Sequence, residues 1–154
     1  MSVTVFPSFL AYHRPLAKTA VCQFAISNSH IDEVVAFKIK TNAVKSYNVR
    51  PNIGCIKPGE SAVITVTMLA KKTEPPLSEA CRDKIMIEST TLPPEWAGTM
   101  SRDFHEAQNL RCTIHQLKIP VIYVNPPVPL IHDEAASRPS LLRWCLQALS
   151  RRSP

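Results

Sequence analysis

The sequence predicts an all-β sandwich. Three observations point there: apolar residues recur with period two in short runs, prolines and a Pro-Gly pair punctuate those runs, and only one brief stretch has helical character. The 154 residues are 45% hydrophobic and 19% charged, which suits one domain with a sizeable core and an appendage. Three glycines against fourteen prolines favour rigid strands with proline-set turns. No glycine-rich phosphate loop of the G-x-G-x-x-G or P-loop type occurs.

The elements follow in order. "VTVF" (3–6) is the first short strand. "AVCQFAI" (20–26) alternates, with Cys22, Phe24 and Ile26 on one face. "VVAFKIK" (34–40) turns Val35, Phe37 and Ile39 one way and Ala36, Lys38 and Lys40 the other. "SYNV" (46–49) is short. In "KPGE" (57–60), Pro58 presets φ and Gly59 accepts the positive φ that a type II turn requires. "SAVITVTML" (61–69) directs Ala62, Ile64, Val66 and Met68 to one face, with Thr65 and Thr67 opposite. "TEPPLSE" and "LPPEW" read as proline loops at strand ends. "DKIMIES" (83–89) sends Ile85 and Ile87 to the core and leaves Lys84, Met86 and Glu88 on the other face. "SRDFHEAQN" (101–109) is the helical candidate, with Ser101 as its N-cap. "LRCTIHQLKIPVIYV" (110–124) is the last strand.

The expected domain spans residues 1–124. A proline-rich linker follows at 125–139, then a short basic amphipathic tail at 140–154. In the tail Leu141, Leu142, Cys145 and Leu149 share a helical face with Arg143, Arg151 and Arg152 nearby. It could dock on its own domain, on a partner or on an anionic membrane surface, or simply fray. The odd cysteine count (Cys22, Cys55, Cys81, Cys112, Cys145), the lack of C-x-x-C and the lack of a signal-peptide pattern suggest reduced, mostly buried thiols in a reducing compartment. No apolar run reaches the ~18–20 residues of a bilayer span, so the chain as given is expected to be soluble and cytoplasmic, without an anchor of its own.

Catalytic patterns fail on inspection. "HEAQN" (105–109) begins like H-E-x-x-H but ends on Asn109, so it cannot make that metal site. No G-x-S-x-G occurs. Cys112 and His115, three apart in a strand, would face opposite ways. The chain reads as a binding module rather than an enzyme, with no catalytic residue, metal or cofactor assigned. Its net charge of +6 favours an acidic partner, and no nucleic-acid-binding motif accompanies that charge. The basic residues gather in "FKIKTNAVKSYNVRPN" (37–52), inside an acid-free run from Val34 to Gly59. Lys38, Lys40, Lys45 and Arg50 lie there, with no acid in the run to neutralise them. Met86, a flexible thioether beside Lys84, belongs to the kind of surface that grips an apolar side chain flanked by acids.

The stretch "VAFKIKTNAVKSYNVRPNIGCIKPGESAVITVTML" closely resembles the core of the major sperm protein (MSP) domain, especially that of the VAMP-associated proteins (VAPs). The matching pattern is Phe37-Lys38-Ile39-Lys40-Thr41, then Tyr47-Asn48-Val49-Arg50-Pro51-Asn52, then Gly54-Cys55-Ile56-Lys57-Pro58-Gly59. "VFPSFLAYH" resembles the family's opening strand, "KIMIES" its K-F-M-V-Q strand and "LRCTIHQ" its last L-R-C strand, so the likeness covers roughly residues 3–120. It implies a seven-stranded immunoglobulin-like sandwich. It also implies binding of FFAT motifs, two aromatics in an acidic tract, carried by lipid-transfer and tethering proteins. By position, the implied peptide-binding residues are Lys40, Thr41, Asn42 (for a second threonine), Arg50, Lys84 and Met86, with Lys38 and Lys45 adding to the basic face. The lysine before L-R-C falls on Asn109, so that cation is missing, and Val44 stands for a loop proline. The resemblance places such domains at the endoplasmic reticulum surface, in membrane-contact-site tethering. The alternative it leaves open is a structural MSP-type protein that self-assembles into dimers or filaments.

Overall fold

The computed structural model describes residues 3–92, 103–109 and 112–128. Among these lie nine strand segments and one helix: β1 (Val3–Phe6), β2 (Leu10–His13), β3 (Ala20–Asn28), β4 (Val34–Thr41), β5 (Tyr47–Arg50), β6 (Ile53–Ile56), β7 (Ser61–Met68), β8 (Lys84–Leu92), α1 (Asp103–Asn109) and β9 (His115–Val124). They build two facing sheets, one of order β1-β3-β7-β5 and one of order β2-β9-β8-β4-β6. All pairings are antiparallel except β2 with β9. The expected all-β sandwich is therefore present.

The strand count reconciles with the seven implied by the family resemblance. β1 and β2 belong to different sheets, and Pro7, after a cis bond from Phe6, lies between them. β5 and β6 likewise change sheets across Pro51, after a cis bond from Arg50. Proline has no N–H for a ladder, so pairing stops there. Counting each split pair as one strand turns nine segments into seven.

The period-2 faces pack as expected. Phe24, Ile26, Val35, Phe37, Ile39, Ile64, Val66, Met68, Ile85 and Ile87 are all buried between the sheets. The Lys57–Glu60 turn closes with a 3.0 Å bond from the Glu60 N–H to the Lys57 carbonyl, and Gly59 has φ of 72°. β6 was not foreseen, because "IGCI" is too short to alternate clearly. Gly54 in β6 sits opposite Phe37, and a Cβ there would lie 3.0 Å from the ring.

Three expectations need correction. Ala36 does not face solvent with the lysines: it is fully buried with Leu92, Phe104 and Ala107, where α1 covers one end of the outer face of β4 and β8. The last strand does not start in L-R-C but at His115, and Cys112 instead follows the helix with its N–H on the Ala107 carbonyl at 3.1 Å. Cys22, Cys55, Cys81 and Cys112 are half-buried rather than mostly buried. Ser101, Cys145 and the tail at 140–154 lie outside the described residues, as does most of the linker.

Polar anchors hold one end of the sandwich. Arg14, only 8% exposed, pairs with Glu74 at 2.9 Å, donates to the carbonyls of Pro75 and Pro76, and stacks over Tyr123 at 5.4 Å. This ties the long β7–β8 connection to the core. The Tyr12 hydroxyl donates to the Val66 carbonyl at 2.7 Å, and that of Tyr47 to Asp83 Oδ2 at 2.6 Å. Burial pushes the Tyr12, Tyr47 and Tyr123 hydroxyls well above their ordinary pKa of 10.0.

Two outcomes follow for stability. Gly54→Val should destabilise the domain by about 1–3 kcal/mol in denaturant unfolding, because Phe37 is locked in the core and cannot retreat. The tyrosines act in the alkaline range. Their folded pKa values exceed the unfolded value, so their contribution is whole below pH ~10 and is lost as pH rises above it. Unfolding midpoints measured up the pH scale should fall once pH passes ~10, and Tyr47→Phe should flatten that fall.

Candidate functional site

The site is built on the outer face of the β4–β8–β9 sheet. Register pairs Lys40 with Met86 and Met86 with Lys118. Outward side chains therefore form a row, lysine, methionine, lysine, across three strands, its ends about 10 Å apart at the ~4.8 Å strand spacing. The next row toward α1 is Lys38, Glu88 and Gln116. On the other side stand Asn42, Lys84 and Pro120. A hollow of about 450 Å³ lies over this face, lined by Lys40, Thr41, Asn42, Lys84, Met86 and Lys118. Five of the eight residues expected from sequence thus meet in one place.

The other three are distributed differently. Arg50 lines a second hollow of about 510 Å³ with Val44, Tyr47 and Asn52, and this one shares Lys40 and Thr41 with the first. Lys38 and Lys45 line neither. Lys40 and Thr41 thus form a ridge between two depressions.

Local hydrogen bonds fix the ridge. Thr41 Oγ1 accepts the Ala43 N–H at 3.1 Å, and the Ala43 carbonyl accepts the Ser46 N–H at 2.9 Å. This settles the loop around Val44, which is 76% exposed and needs no proline to turn. Asn42 is exposed and lines the hollow, and its amide is already partly engaged. Its Oδ1 accepts the Lys84 N–H at 2.8 Å and its Nδ2 donates to the Arg82 carbonyl at 3.2 Å. It staples β4 to the start of β8, leaving one amide hydrogen for other use.

Two further findings alter the charge picture. Asn109 ends α1 and supplies no cation, but a lysine that sequence reading did not single out, Lys118, stands beside Met86. Period-2 reading of "QLKIPV" would have found it, since Leu117 and Ile119 face inward and Lys118 outward. Nor does the basic run lack a counter-charge. Glu88, 4% exposed, reaches Lys40 from the neighbouring strand at 2.8 Å, while its other oxygen accepts from Gln116 at 2.9 Å. The Lys40 contact is an ion pair rather than an aligned hydrogen bond. Sequence reading put Glu88 on the right face but could not give the register that joins it to Lys40.

No helix among the described residues is long and apolar enough to cross a membrane. Comparison with known proteins completes the picture. The MSP (major sperm protein) domain model matches residues 2–109. Vesicle-associated protein 1-3 of Arabidopsis thaliana is 35% identical over 133 residues, covering 83% of this chain and 54% of that protein. Vesicle-associated membrane protein-associated protein SCS2 of Saccharomyces cerevisiae is 35% identical over 102 residues, covering 66% of this chain and 41% of that one. The chain spans about half the length of vesicle-associated proteins 1-3, 2-1 and 1-2 of Arabidopsis thaliana. Among solved structures, WR4, a C. elegans MSP family member, matches with a TM-score of 0.60 at 19% identity over 81% of this chain and 98% of that one, a likeness of fold. SSP-19, an MSP-domain protein like family member of Caenorhabditis elegans, matches similarly in fold, with a TM-score of 0.58 at 19% identity over 79% of this chain and 98% of that one. The chain belongs to the MSP domain family, with vesicle-associated (VAP) proteins among its relatives.

Proposed function

We propose that this domain is a non-enzymatic adaptor that binds short acidic FFAT-like peptides of lipid-transfer or tethering proteins, at the endoplasmic reticulum surface where membranes are held in contact. The observation that carries the reading is the Lys40–Met86–Lys118 row beneath a hollow of about 450 Å³. Met86 offers a polarisable floor for an aromatic side chain. The lysine stems wall it with methylenes while their ammonium groups stay in water. Upstream acids are attracted by Lys38, Lys45, Arg50 and Lys84, which raises the rate of encounter more than it lengthens residence. The family assignment and the vesicle-associated relatives support the same reading.

Titration of a fluorescent FFAT-type peptide tests it. Lys84→Asp/Met86→Asp should weaken binding at least tenfold, about 1.4 kcal/mol or more; equal affinity for that variant and the wild type would remove the site. Lys118→Glu should weaken binding comparably, whereas Asn109→Lys should leave it unchanged, because position 109 is away from the row. Affinity should also fall with added salt, as the Debye length contracts from ~10 Å at 0.1 M to ~3 Å at 1 M.

A further inference from the structure

The carboxylate of Glu88 stands in the row beside the hollow, next to a surface otherwise set up for anions. It is 4% exposed, one oxygen held by the Gln116 amide at 2.9 Å and the other by Lys40 at 2.8 Å. Lys40 is more open, its side chain 41% exposed. The two partners are therefore unequal. If a ligand drew Lys40 away, Glu88 would remain as a buried charge without its cation, which is strongly unfavourable. Lys40 must keep its partner while a ligand binds. Its ammonium has three donors and can still offer one to a neutral acceptor. A second carboxylate arriving there would meet the first at close range, and like charges so near disfavour each other. Lys84 and Lys118 have no acid opposite them in the β8–β9 ladder, where Lys84 pairs with Pro120 and Lys118 with Met86.

From this geometry we infer that Glu88 determines specificity: it occupies Lys40 as an internal counter-ion, so the groove reads the acids of a bound peptide through Lys84 and Lys118 and takes a neutral group beside Lys40. The inference rests on the proposed peptide-binding role of the same groove and names the charge distribution its ligand must have. Lys40 then serves as wall and hydrogen-bond donor, and the anion-reading end of the groove is displaced toward β9.

The test compares variants of the full chain, using an acidic FFAT-type peptide and a copy with its acids changed to amides. Lys118→Met should weaken the acidic peptide about tenfold or more, whereas removing the internal pair together, Lys40→Met/Glu88→Gln, strands no buried charge and should cost it less than about threefold. Glu88→Gln alone keeps the shape but turns one acceptor oxygen into an NH2 donor, so it releases Lys40, and it should tighten the acidic peptide severalfold without improving the amide copy. A merely structural Glu88 would shift both peptides alike. A Glu88→Gln that binds the acidic peptide no tighter than wild type, or a pair removal that costs as much as Lys118→Met, would overturn the inference while leaving the groove as the binding site. Should Glu88→Gln not fold alone, the comparison of the pair removal with Lys118→Met decides. A wild type that binds neither peptide removes the proposed function, and this inference with it.

Discussion

The β4–β8 ladder is the constraint on which the rest depends. It runs without a break from Val34 opposite Leu92 to Thr41 opposite Ile85. Side chains alternate across a sheet, so a slip of one residue would turn Phe37 and Ile39 outward and bury Lys38 and Lys40. The register is held by apolar packing on both faces at one end of β4. Val35, Phe37 and Ile39 fill the space between the sheets, and Ala36 lies under α1. Among the described residues the Thr41 end has no such cover. Asn42 takes over there, its amide bridging the ladder to Arg82 and Lys84. Hydrophobic burial thus aligns the strands, and one polar side chain finishes the alignment where burial stops.

A groove made this way differs from a simple basic patch. Long cationic side chains on neighbouring strands would repel one another if nothing lay between them. Met86 separates Lys40 from Lys118, and Glu88 offsets Lys40 from the adjacent row. The result is a surface with apolar depth at its centre and positive charge at its margin. Charge at the margin remains hydrated and adjustable, whereas the thioether offers contact area that no cation could supply. Such a surface suits a ligand with an aromatic anchor and outlying acids better than a uniform polyanion.

Much of this was legible in the sequence, for identifiable reasons. Period-2 alternation located the inner faces of β3, β4, β7 and β8, because half-buried strands must alternate. The Pro58-Gly59 turn was legible because only a few residues tolerate its backbone angles. The lysines of β4 and the Lys84–Met86 pair were legible as outward residues of those strands. What escaped were relations between distant segments. The pairing of Lys40 with Glu88 depends on register, the anchoring of Glu74 by Arg14 spans sixty residues, and Ala36 is buried by a helix that follows β8. Lys118 escaped for a different reason: the L-R-C triplet looked like the start of the last strand, and the true strand begins after it.

The parallel pairing of β2 with β9, Leu10 opposite Val121 through His13 opposite Val124, has a mechanical meaning. Tension that drags the beginning of β2 and the end of β9 in opposite directions slides these strands along each other. In that geometry the cross-strand bonds share the load at once, whereas a hairpin pulled at its open end would peel bond by bond. The Arg14 N–H, bonded to the Val124 carbonyl at 3.0 Å, extends the loaded seam by one further link. A domain held from both sides in this way would resist as a shear joint rather than open as a zipper.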